Sequence, residues 1–361
     1  MTFFDIDKND YKISAVLSSI LTSDDLYKIV STSFLPFLEN CKIIDLLIRK
    51  GFVKVDNNRI LLTSKGYELA KELRVAGLVD NYCKNCSGKG YVVDKYKEYL
   101  KRFEEITQGR PEAIQDYDQG YVTPITNFLR ISFAESRGDI KNKKILIMGD
   151  DDLLSIALAV TNLPLEIQVF EIDERLVSFV KEKSRKYSLN INVTRFDLRE
   201  KMPASLDSYF DVFFSDPPET IDAFKSFIGK GIFALKKTGG AGYFGITLID
   251  ASLNKWKDLQ RIMLNDFGVV ITDMIHDFNE YVNWEYHDTT PAYESAIVKT
   301  KPSHIWYKST IYRIQTLNSK GFNEKLDTDI LQDEENATSW FFLLIFNKSI
   351  SLRGKKWKLH W

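Results

Sequence analysis

Four short segments of the sequence place carboxylates directly after an apolar run, where they could bind and react with a small organic ligand. They are "KILIMGDDDLLSIAL", "VFEID", "RFDL" and "FFSDPPET". The first contains Gly149 followed by Asp150, Asp151 and Asp152. Glycine lets the backbone turn tightly, and three adjacent carboxylates attract cations and repel anions. We therefore expect these residues to recognise a ligand with a positively charged part.

The elements that must position these segments alternate between strand and helix from residue 141 onward. Apolar runs such as "KILIMG" and "YFDVFFSDPP" predict strands, and "DLLSIALAVTNL" and "ERLVSFVKEKSRKYS" predict helices. The alternation indicates an α/β, Rossmann-like (methyltransferase-type) doubly wound parallel sheet with six strands. Such sheets bind ligands at the carboxyl ends of their strands, so the four segments should share one edge.

The first three strand ends fit the binding of an adenosine group. Gly149 ends the first strand, and Glu171 follows about 20 residues later, which is the spacing of a dinucleotide-type unit. Glu171 can accept both ribose hydroxyls, and Asp173 lies just beyond it. Asp197 can accept the adenine amino group. Alternatively, Glu171 or Asp197 only caps the helix that follows.

The three aspartates distinguish between two kinds of adenosine ligand. In methyltransferases that use S-adenosylmethionine, the loop after the first strand and the next helix N-terminus receive the methionine carboxylate. Two negative charges at ~4 Å repel by about 1 kcal/mol in water and several times more when partly buried. Decarboxylated S-adenosylmethionine has a purely cationic tail, so it is favoured as co-substrate, and no tightly bound cofactor is expected. The alternatives are that the aspartates cap the helix or bind a metal.

The fourth segment contains Asp216, Pro217 and Glu219. Its Asp-Pro-Pro sequence resembles the Asp/Asn-Pro-Pro-aromatic signature of methyltransferases that modify amino groups. Glu219 stands where the aromatic residue would be, and a carboxylate suits an aliphatic amine better than a flat base. A polyamine acceptor is therefore favoured over a nucleobase. The alternative is an ordinary turn with proline at the first position of a helix.

Further substrate-binding residues are expected in two loops and at a fifth strand end. Asp250 follows the strand "GYFGITL". The segment "FNEYVNWEYHDTTPAYE" mixes aromatic and carboxylate side chains, which suits a channel for ammonium groups, but it could equally be ordinary strand and loop. Another loop, which could fold over the active site or be a surface connection, contains Asp116, Asp118, Gln119 and Tyr121.

Three units are predicted along the chain. Residues 1–80 show helical periodicity followed by a strand–turn–strand–helix pattern, which is typical of a winged helix. Between Cys41 and Val75 there are eight basic and four acidic residues, a mild basic bias that favours interaction or dimerisation over DNA contact. Residues 81–140 form a connecting segment with a charged helix, and residues 141–361 form the catalytic domain.

The three cysteines, Cys41, Cys83 and Cys86, are too few for a disulfide framework. Cys83 and Cys86 form a single Cys-x-x-Cys, whereas a zinc site needs about four ligands. The pair can be two unlinked thiols, a metal half-site completed by a second subunit, or a local disulfide. We therefore assign no metal site from the sequence.

The composition limits the class of protein. A formal net charge of −1 gives no general attraction to nucleic acid or anionic membrane, and 44% hydrophobic residues can fill a large core. The charged start "MTFFDIDKND" lacks the apolar centre of a signal peptide. The late apolar run "WFFLLIF" is too short to span a bilayer. We expect a soluble cytoplasmic protein with neither a membrane nor a nucleic-acid partner.

The sequence resembles the branched-chain polyamine synthases, an aminopropyltransferase family also called N4-bis(aminopropyl)spermidine synthases. The resemblance covers nearly the whole chain and rests on "GDDDLLSIALA", "FEIDERL", "FDVFFSDPPET", "YFGITL", "SLNKW", "FNEYVNW" and "YDQGYVTP". It implies a cytosolic enzyme, often dimeric and associated with thermophilic microbes. It also implies transfer of aminopropyl groups from decarboxylated S-adenosylmethionine to N4 of spermidine, with methylthioadenosine leaving each time.

Two mechanisms follow for such a transfer. In the first, the catalytic residues are Asp150, Asp151 and Asp152, with Asp152 or Asp151 closest to the reacting centre, and this cluster accepts a proton from N4. Asp216 and Glu219 would hold the flanking ammonium groups. In the second, an aspartate carries the aminopropyl group as an ester.

Two other functions compete with aminopropyl transfer. One is an S-adenosylmethionine-dependent amino-group methyltransferase acting on nucleic acid, against which the net charge and the three aspartates argue. The other is a transcription regulator with a ligand-sensing domain, against which the four functional strand ends argue.

Overall fold

The computed structural model describes residues 10–331 together with Asp333, Glu335 and Ala337. Residues 1–9 and the run "WFFLLIF", on which part of the composition argument rests, lie outside the described residues. Among the residues described, no helix has the length and apolar character needed to cross a membrane.

The N-terminal unit consists of four helices and a two-stranded hairpin. The helices are α1 (Tyr11–Thr22), α2 (Leu26–Ser33), α3 (Phe37–Arg49) and α4 (Ser64–Glu72), and the antiparallel hairpin pairs β1 (Val53–Asp56) with β2 (Arg59–Leu62). Side-chain oxygens of Asp10, Asp25 and Thr63 cap three of the helices at their first turns. This is the element order from which a winged helix is predicted, and that assignment stays a prediction, as do the domain boundaries.

The remaining helices lie in or around the second unit. They are α5 (Lys97–Ile106), α6 (Pro124–Ser136), α7 (Leu154–Thr161), α8 (Glu174–Tyr187), α9 (Ile221–Phe224), α10 (Lys230–Ala234), α11 (Leu253–Arg261) and α12 (Pro291–Ser295). A π-helical turn at Lys225–Gly229 joins α9 to α10, and another at Ile262–Phe267 continues α11. Short 3₁₀ turns occur at Asp94–Tyr96, Gln115–Tyr117, Ala204–Leu206 and Glu285–Thr289.

A seven-stranded sheet forms the centre of the molecule. Its strands are β3 (Lys144–Met148), β4 (Glu166–Glu171), β5 (Asn192–Arg195), β6 (Val212–Ser215), β7 (Thr238–Ile246), β8 (Val269–Glu280) and β9 (Lys308–Leu317). The order across the sheet is β5-β4-β3-β6-β7-β9-β8. The pairs from β5 to β7 are parallel, whereas β9 is antiparallel to both of its neighbours. The Rossmann-like α/β fold is therefore confirmed.

The prediction of six parallel strands was wrong in one respect, because it omitted β9. This strand inserts between β7 and β8 and moves β8 to the sheet edge. It follows β8 through loops and short helical turns, with no long crossover helix. Alternation of strand and helix therefore could not identify it.

Alternate residues of each strand face opposite sides of the sheet. Ile145 and Ile147 of β3 join the apolar cluster formed with α5 to α8, whereas Leu146 and Met148 join the cluster that includes Phe224 and Trp256. Helices cover both faces of the central strands β3 and β6, so these strands are accessible at their ends. Between β3 and β6 the strand order reverses, and this is where open α/β sheets bind ligands.

Candidate active site

The carboxyl ends of β3, β4 and β6 open into a cavity of about 420 Å³. Its apolar lining consists of Phe170, Ile172, Phe196, Leu198, Pro218, Phe227, Ile330 and Leu331. Its carboxylates are Asp116, Asp118, Asp151, Glu171, Asp197, Asp216, Asp327 and Asp329. Among the described lining residues, Arg199 is the only basic one. The cavity can therefore enclose an aromatic ring and attract a cation.

A second cavity of about 50 Å³ adjoins the first. It combines carboxylates with an aromatic wall made of Tyr281, Trp284, Tyr286 and Tyr307. Pro217 and Glu219 line only this second cavity. The residues shared by both cavities are Asp118, Gln119, Asp151, Asp216 and Pro218. Ligands in the two cavities would meet at these shared residues.

Gly149 begins the turn that shapes the floor of the larger cavity. It ends β3 with φ +77°, a conformation that glycine adopts without strain. Its N–H donates to the Phe170 carbonyl at 2.9 Å, which keeps the turn against β4. A side chain here would meet only Phe227, at an ordinary 3.6 Å, so the requirement for glycine is conformational.

The three consecutive aspartates have different partners. Asp150 is buried and accepts from the Ser155 N–H at 3.1 Å and from the Ser155 hydroxyl at 2.5 Å. Burial raises its pKa to about 8, against these hydrogen bonds. Asp150 does not line either cavity and closes the turn into α7. Its position matches the alternative that one aspartate caps the helix, and the geometry gives no support to a catalytic role.

Asp152 is held by an ion pair that the sequence analysis missed. Its carboxylate accepts from Arg130 Nη1 at 2.5 Å and from the Val122 N–H at 2.7 Å. Asp152 also lines neither cavity. Two residues are expected nearest the reacting centre. Asp152 holds Arg130 and the Val122 backbone in place, whereas Asp151 lines the cavities.

Asp151 lines both cavities and accepts the Gly120 N–H at 3.0 Å. Burial raises its pKa well above the usual value, and Asp152, Glu171 and Asp216 raise it further. A carboxyl group in this state is a good proton acceptor once a neighbouring cation favours its ionised form.

Arg130 connects several elements of the second unit close to β3 and β6, the two strands between which the strand order reverses. It donates from α6 to Asp152, to Asp216 Oδ2 at 2.8 Å and to the Asn279 side-chain oxygen at 2.8 Å. Burial alone would lower the pKa of Arg130, but Asp152 and Asp216 reverse this and raise it. In the sequence, the only sign of this role is a single cation in the apolar stretch "ITNFLRISF".

Asp216 is positioned from three sides. Tyr281 donates its hydroxyl to Asp216 Oδ2 at 2.5 Å, in addition to the contact from Arg130. A Cβ atom on Gly245 would lie 2.2 Å from Asp216 Oδ1, so β7 needs glycine there to admit the carboxylate. Burial raises the pKa of Asp216, while Arg130 and Tyr281 oppose the shift.

Glu219 and Asp250 differ in whether they reach the second cavity. Glu219 lines the second cavity and accepts the Thr247 N–H at 3.0 Å. Burial raises its pKa well above the usual value, and Asp250 adds to the shift. Asp250 lines neither cavity, because Tyr307 and the Ala337 N–H occupy its oxygens at 2.5 Å each. Burial raises the pKa of Asp250 to about 6. The geometry therefore makes Asp250 a support for Tyr307 and gives no sign that it touches a ligand.

The loop before α6 folds over the strand ends, which is the first of the two alternatives in the sequence analysis. The Gln119 side chain donates to Asp173 at 2.9 Å, and its carbonyl accepts from the Tyr286 hydroxyl at 2.7 Å. Tyr121 lines neither cavity; its ring stacks on the Arg110 guanidinium at 3.5 Å. Gln119 thus lines both cavities, whereas Tyr121 stabilises the loop through its contact with Arg110.

Of the three acids predicted to bind adenosine, Glu171 and Asp197 line the larger cavity and Asp173 does not. Glu171 lines the larger cavity and accepts the N–H groups of Asp150 and Asp173 at 2.8 Å each. Burial raises its pKa above the usual value. Asp197 also lines the cavity; burial raises its pKa, but its ion pair with Arg199 at 2.7 Å outweighs this, so the net pKa is lowered.

Asp173 does not line the cavity. It caps α8 through the Arg175 N–H at 2.9 Å and pairs with the Arg175 guanidinium at 2.6 Å. A direct contact between Asp173 and an adenosine ligand is therefore unsupported by the geometry, and the residue acts on the loop through Gln119.

The described residues contain no cluster of three or more His, Cys, Asp or Glu side chains suited to a metal ion. Cys83 and Cys86 lie outside both cavities. The alternative of a metal at Cys83 and Cys86 is therefore unsupported by the described residues.

Comparisons with known proteins agree on one family. The family model described as the branched-chain polyamine synthase A C-terminal domain matches residues 98–338. Relatives described as N(4)-bis(aminopropyl)spermidine synthase, from Thermococcus kodakarensis and Methanocaldococcus jannaschii, are 44% and 46% identical to this chain. Both alignments cover 91% of this chain, and they cover 94% and 95% of those proteins, respectively.

A solved structure is similar over nearly the same length. It is the branched-chain polyamine synthase from Thermus thermophilus in complex with N4-aminopropylspermidine and 5'-methylthioadenosine. The TM-score is 0.83 at 34% identity, covering 91% of this chain and 93% of that one.

We predict that Arg130→Met lowers the free energy of unfolding by about 3–5 kcal/mol, because it leaves two buried carboxylates without their cation. Arg137→Met is the matched control, since Arg137 ends the same helix and pairs with Asp273 at the surface. A surface pair contributes only about 0–1 kcal/mol. Chemical denaturation measures both, and equal losses would contradict a structural role for the buried pair.

We predict that Asp150→Asn changes the pH dependence of stability. An unfolded aspartate titrates near 3.8, whereas the pKa of folded Asp150 is about 8, so the folded state holds an extra proton between these values. Raising the pH through this window therefore weakens the wild-type fold. The stability of Asp150→Asn relative to wild type should rise from about pH 4 to about pH 8. Denaturation at a series of pH values tests this, with the exposed Asp266→Asn as control; parallel curves for Asp150→Asn and wild type would refute it.

Proposed function

Because this chain belongs to the branched-chain polyamine synthase family, we propose that it transfers aminopropyl groups from decarboxylated S-adenosylmethionine to N4 of spermidine. The products are branched polyamines and methylthioadenosine. The observation that carries the proposal is the charge of the two adjoining cavities, whose shared residues include Asp118, Asp151 and Asp216. The bound product and nucleoside of the similar Thermus thermophilus enzyme have the chemistry that these cavities suit.

The larger cavity suits the donor. Its apolar side chains, such as Phe196 and Phe227, can enclose the adenine ring, and Asp197 can accept the adenine amino group. Glu171 can accept the ribose hydroxyls with lone pairs that its two backbone contacts leave over. The sulfonium and the aminopropyl chain then reach the shared residues next to Asp151.

The second cavity suits the acceptor. Its described lining has no Lys or Arg side chain, and it includes both Glu219 and the ring of Trp284. Carboxylates pair with ammonium groups, and aromatic faces attract them. We assign the flanking ammonium groups of spermidine to Glu219 and Asp216, which brings N4 to the shared residues.

The reaction requires N4 to lose a proton before it can attack. We propose that Asp151 accepts this proton, because its raised pKa makes it a better proton acceptor than a carboxylate with an ordinary pKa. The N4 lone pair then forms a bond to the propyl carbon next to sulfur, the carbon–sulfur bond breaks, and its electron pair leaves with methylthioadenosine. Asp152 and Arg130 take no proton; they hold the Gly149–Asp151 turn and Asp216 in place.

The negative charge of the cavity also disfavours methyl transfer from S-adenosylmethionine. The methionine carboxylate would lie against Asp151 in a partly buried site, where repulsion reaches several kcal/mol.

We propose a cytoplasmic location for the enzyme, as the sequence analysis expects.

The function is tested by incubating the full chain with decarboxylated S-adenosylmethionine and spermidine. Mass spectrometry should find methylthioadenosine and a product branched at N4, and the number of added aminopropyl groups gives the number of transfers. Putrescine is the control acceptor, because it has no internal amine. A linear product, or a methylated product with S-adenosylmethionine, would overturn the proposal.

We predict that Asp151→Asn lowers kcat by about 10²- to 10⁴-fold, which is the usual loss when a general base is removed. Asp150→Asn and the exposed Asp266→Asn should keep most of the turnover, since neither residue lines either of the two cavities described. Methylthioadenosine release at saturating substrates measures this. Wild-type turnover by Asp151→Asn would exclude Asp151 as the base, and methylthioadenosine release without spermidine would indicate the ester route.

A further inference from the structure

Lys230 is a buried cation that the proposed reaction does not use. It is the first residue of α10 and has no exposed surface. A lysine is seldom buried so completely unless a carboxylate pairs with it. Within the described part of the chain, however, its ammonium forms no ion pair and donates instead to the Leu198 carbonyl and, at 3.5 Å, to the Ser226 hydroxyl. The position of this cation therefore needs another explanation than charge pairing.

The Leu198 carbonyl is the atom through which Lys230 can act on its surroundings. This carbonyl accepts from the Ser226 hydroxyl as well as from the Lys230 ammonium. Ser226 lies in the π-helical turn Lys225–Gly229, and Lys230 follows that turn directly. Residues four apart on a helical segment lie on one side of it, so both side chains reach the same oxygen. Two donors thus tie the loop after β5, residues 196–202, to the π-helical turn.

The loop and the π-helical turn both line the larger cavity. Phe196, Asp197 and Leu198 of the loop belong to its lining, and so does Phe227 of the turn. The proposed function assigns the adenine ring to Phe196 and Phe227 and its amino group to Asp197. The contact between Lys230 and the Leu198 carbonyl therefore joins two parts of the adenine pocket.

The charge of Lys230 also acts on Asp197. Burial lowers the pKa of Lys230 to about 8, but Asp197 and Glu200 oppose the shift, so the ammonium form predominates at neutral pH. Burial raises the pKa of Asp197, but Arg199 and, more weakly, Lys230 outweigh this and lower it. Asp197 therefore stays ionised, and an ionised carboxylate is a pure hydrogen-bond acceptor, which suits an amino group.

The contact at the Leu198 carbonyl lies in a place that solvent does not reach. Neither Ser226 nor Lys230 has exposed surface, and the Phe322 ring lies 6.0 Å from the ammonium. Phe322 also donates its N–H to the Gly229 carbonyl at 2.8 Å. Water therefore cannot replace the ammonium as a donor, and a buried carbonyl that loses a partner is costly. Without Lys230, the loop would relax away from its present position.

We propose that Lys230 is a positioning residue that holds residues 196–202 in the conformation that selects adenine, an inference that rests on the proposed function. Lys230 touches no substrate, because it lines neither cavity. It acts through the Leu198 carbonyl and through the charge of Asp197. A base with a carbonyl oxygen in place of the adenine amino group would present an acceptor to Asp197, and two acceptors repel each other. The preference for adenine over hypoxanthine is therefore the property that Lys230 controls.

The test measures how tightly the full chain binds methylthioadenosine and methylthioinosine, in which an oxygen replaces the amino group of the base, by isothermal titration calorimetry. The wild-type chain should prefer methylthioadenosine. Lys230→Met keeps an unbranched side chain but removes the donor, and it should weaken methylthioadenosine binding by about 10-fold, which is the effect of one lost hydrogen bond to a charged group. Methylthioinosine should lose less, so the preference falls. Ser226→Ala should act in the same direction with a smaller effect.

Lys225→Met is the matched control, because Lys225 lies in the same π-helical turn but pairs with Asp222 at 3.7 Å on a half-buried surface. It should leave the nucleoside preference unchanged. In turnover, Lys230→Met should raise the KM for decarboxylated S-adenosylmethionine and leave kcat and the KM for spermidine unchanged, which a general loss of structure would not do.

An unchanged preference in Lys230→Met would overturn the proposal, and so would an equal loss of preference in Lys225→Met. Ser226→Ala removes only a hydroxyl group, so it decides the question if Lys230→Met does not fold, and an unchanged preference there would also overturn the proposal. Nucleoside binding is measured without an acceptor. A wild-type chain that prefers methylthioadenosine but transfers no aminopropyl group would therefore contradict the proposed function and leave the role of Lys230 to be decided by the binding data.

Discussion

The buried guanidinium of Arg130 is the interaction on which the geometry of the site depends. It joins α6 to the turn after β3, to the end of β6 and to Asn279 on β8, which are distant from one another in sequence. A cation this deeply buried is stable only when carboxylates compensate for its lost hydration. Asp152 and Asp216 provide this compensation, and in return Arg130 fixes where their oxygens point. Asp151, the residue before Asp152 in the chain, lines both cavities.

The same charge balance explains why so many acids can share one small region. Burial and mutual repulsion raise the pKa values of Asp151, Asp216 and Glu219, so these groups favour protonation when no cation is near. A polycationic ligand reverses this preference, because its ammonium groups stabilise the carboxylates. Binding is then an exchange of protons for ammonium groups, and specificity for polyamines follows from charge as much as from shape.

The sequence predicts the Rossmann-like fold class and the strand ends that line the larger cavity, but not the direction of each side chain. Strand ends at Gly149, Glu171, Asp197 and Asp216 can be predicted because apolar runs and turns are local signals. Asp150, Asp173 and Asp250 sit at equally suitable positions, yet their carboxylates turn toward Ser155, Arg175 and Tyr307. Those partners are set by tertiary packing, which no spacing rule contains. Arg130 and β9 were missed for the same reason, since each acquires its role only from neighbours far along the chain.

The N-terminal unit is part of the wall behind the acceptor cavity. Tyr27 of α2 and Phe37 of α3 pack against the Trp306 ring at 5.1 and 5.6 Å, and Trp306 packs against Trp284, which lines that cavity, at 6.2 Å. Phe37 also donates its N–H to the Ile249 carbonyl at 2.9 Å, just after β7. A chimera that takes its first helices from another member of the family would therefore reshape the space available to the amine. Substitutions in those helices can therefore change which length of polyamine the enzyme prefers while every reacting group stays the same.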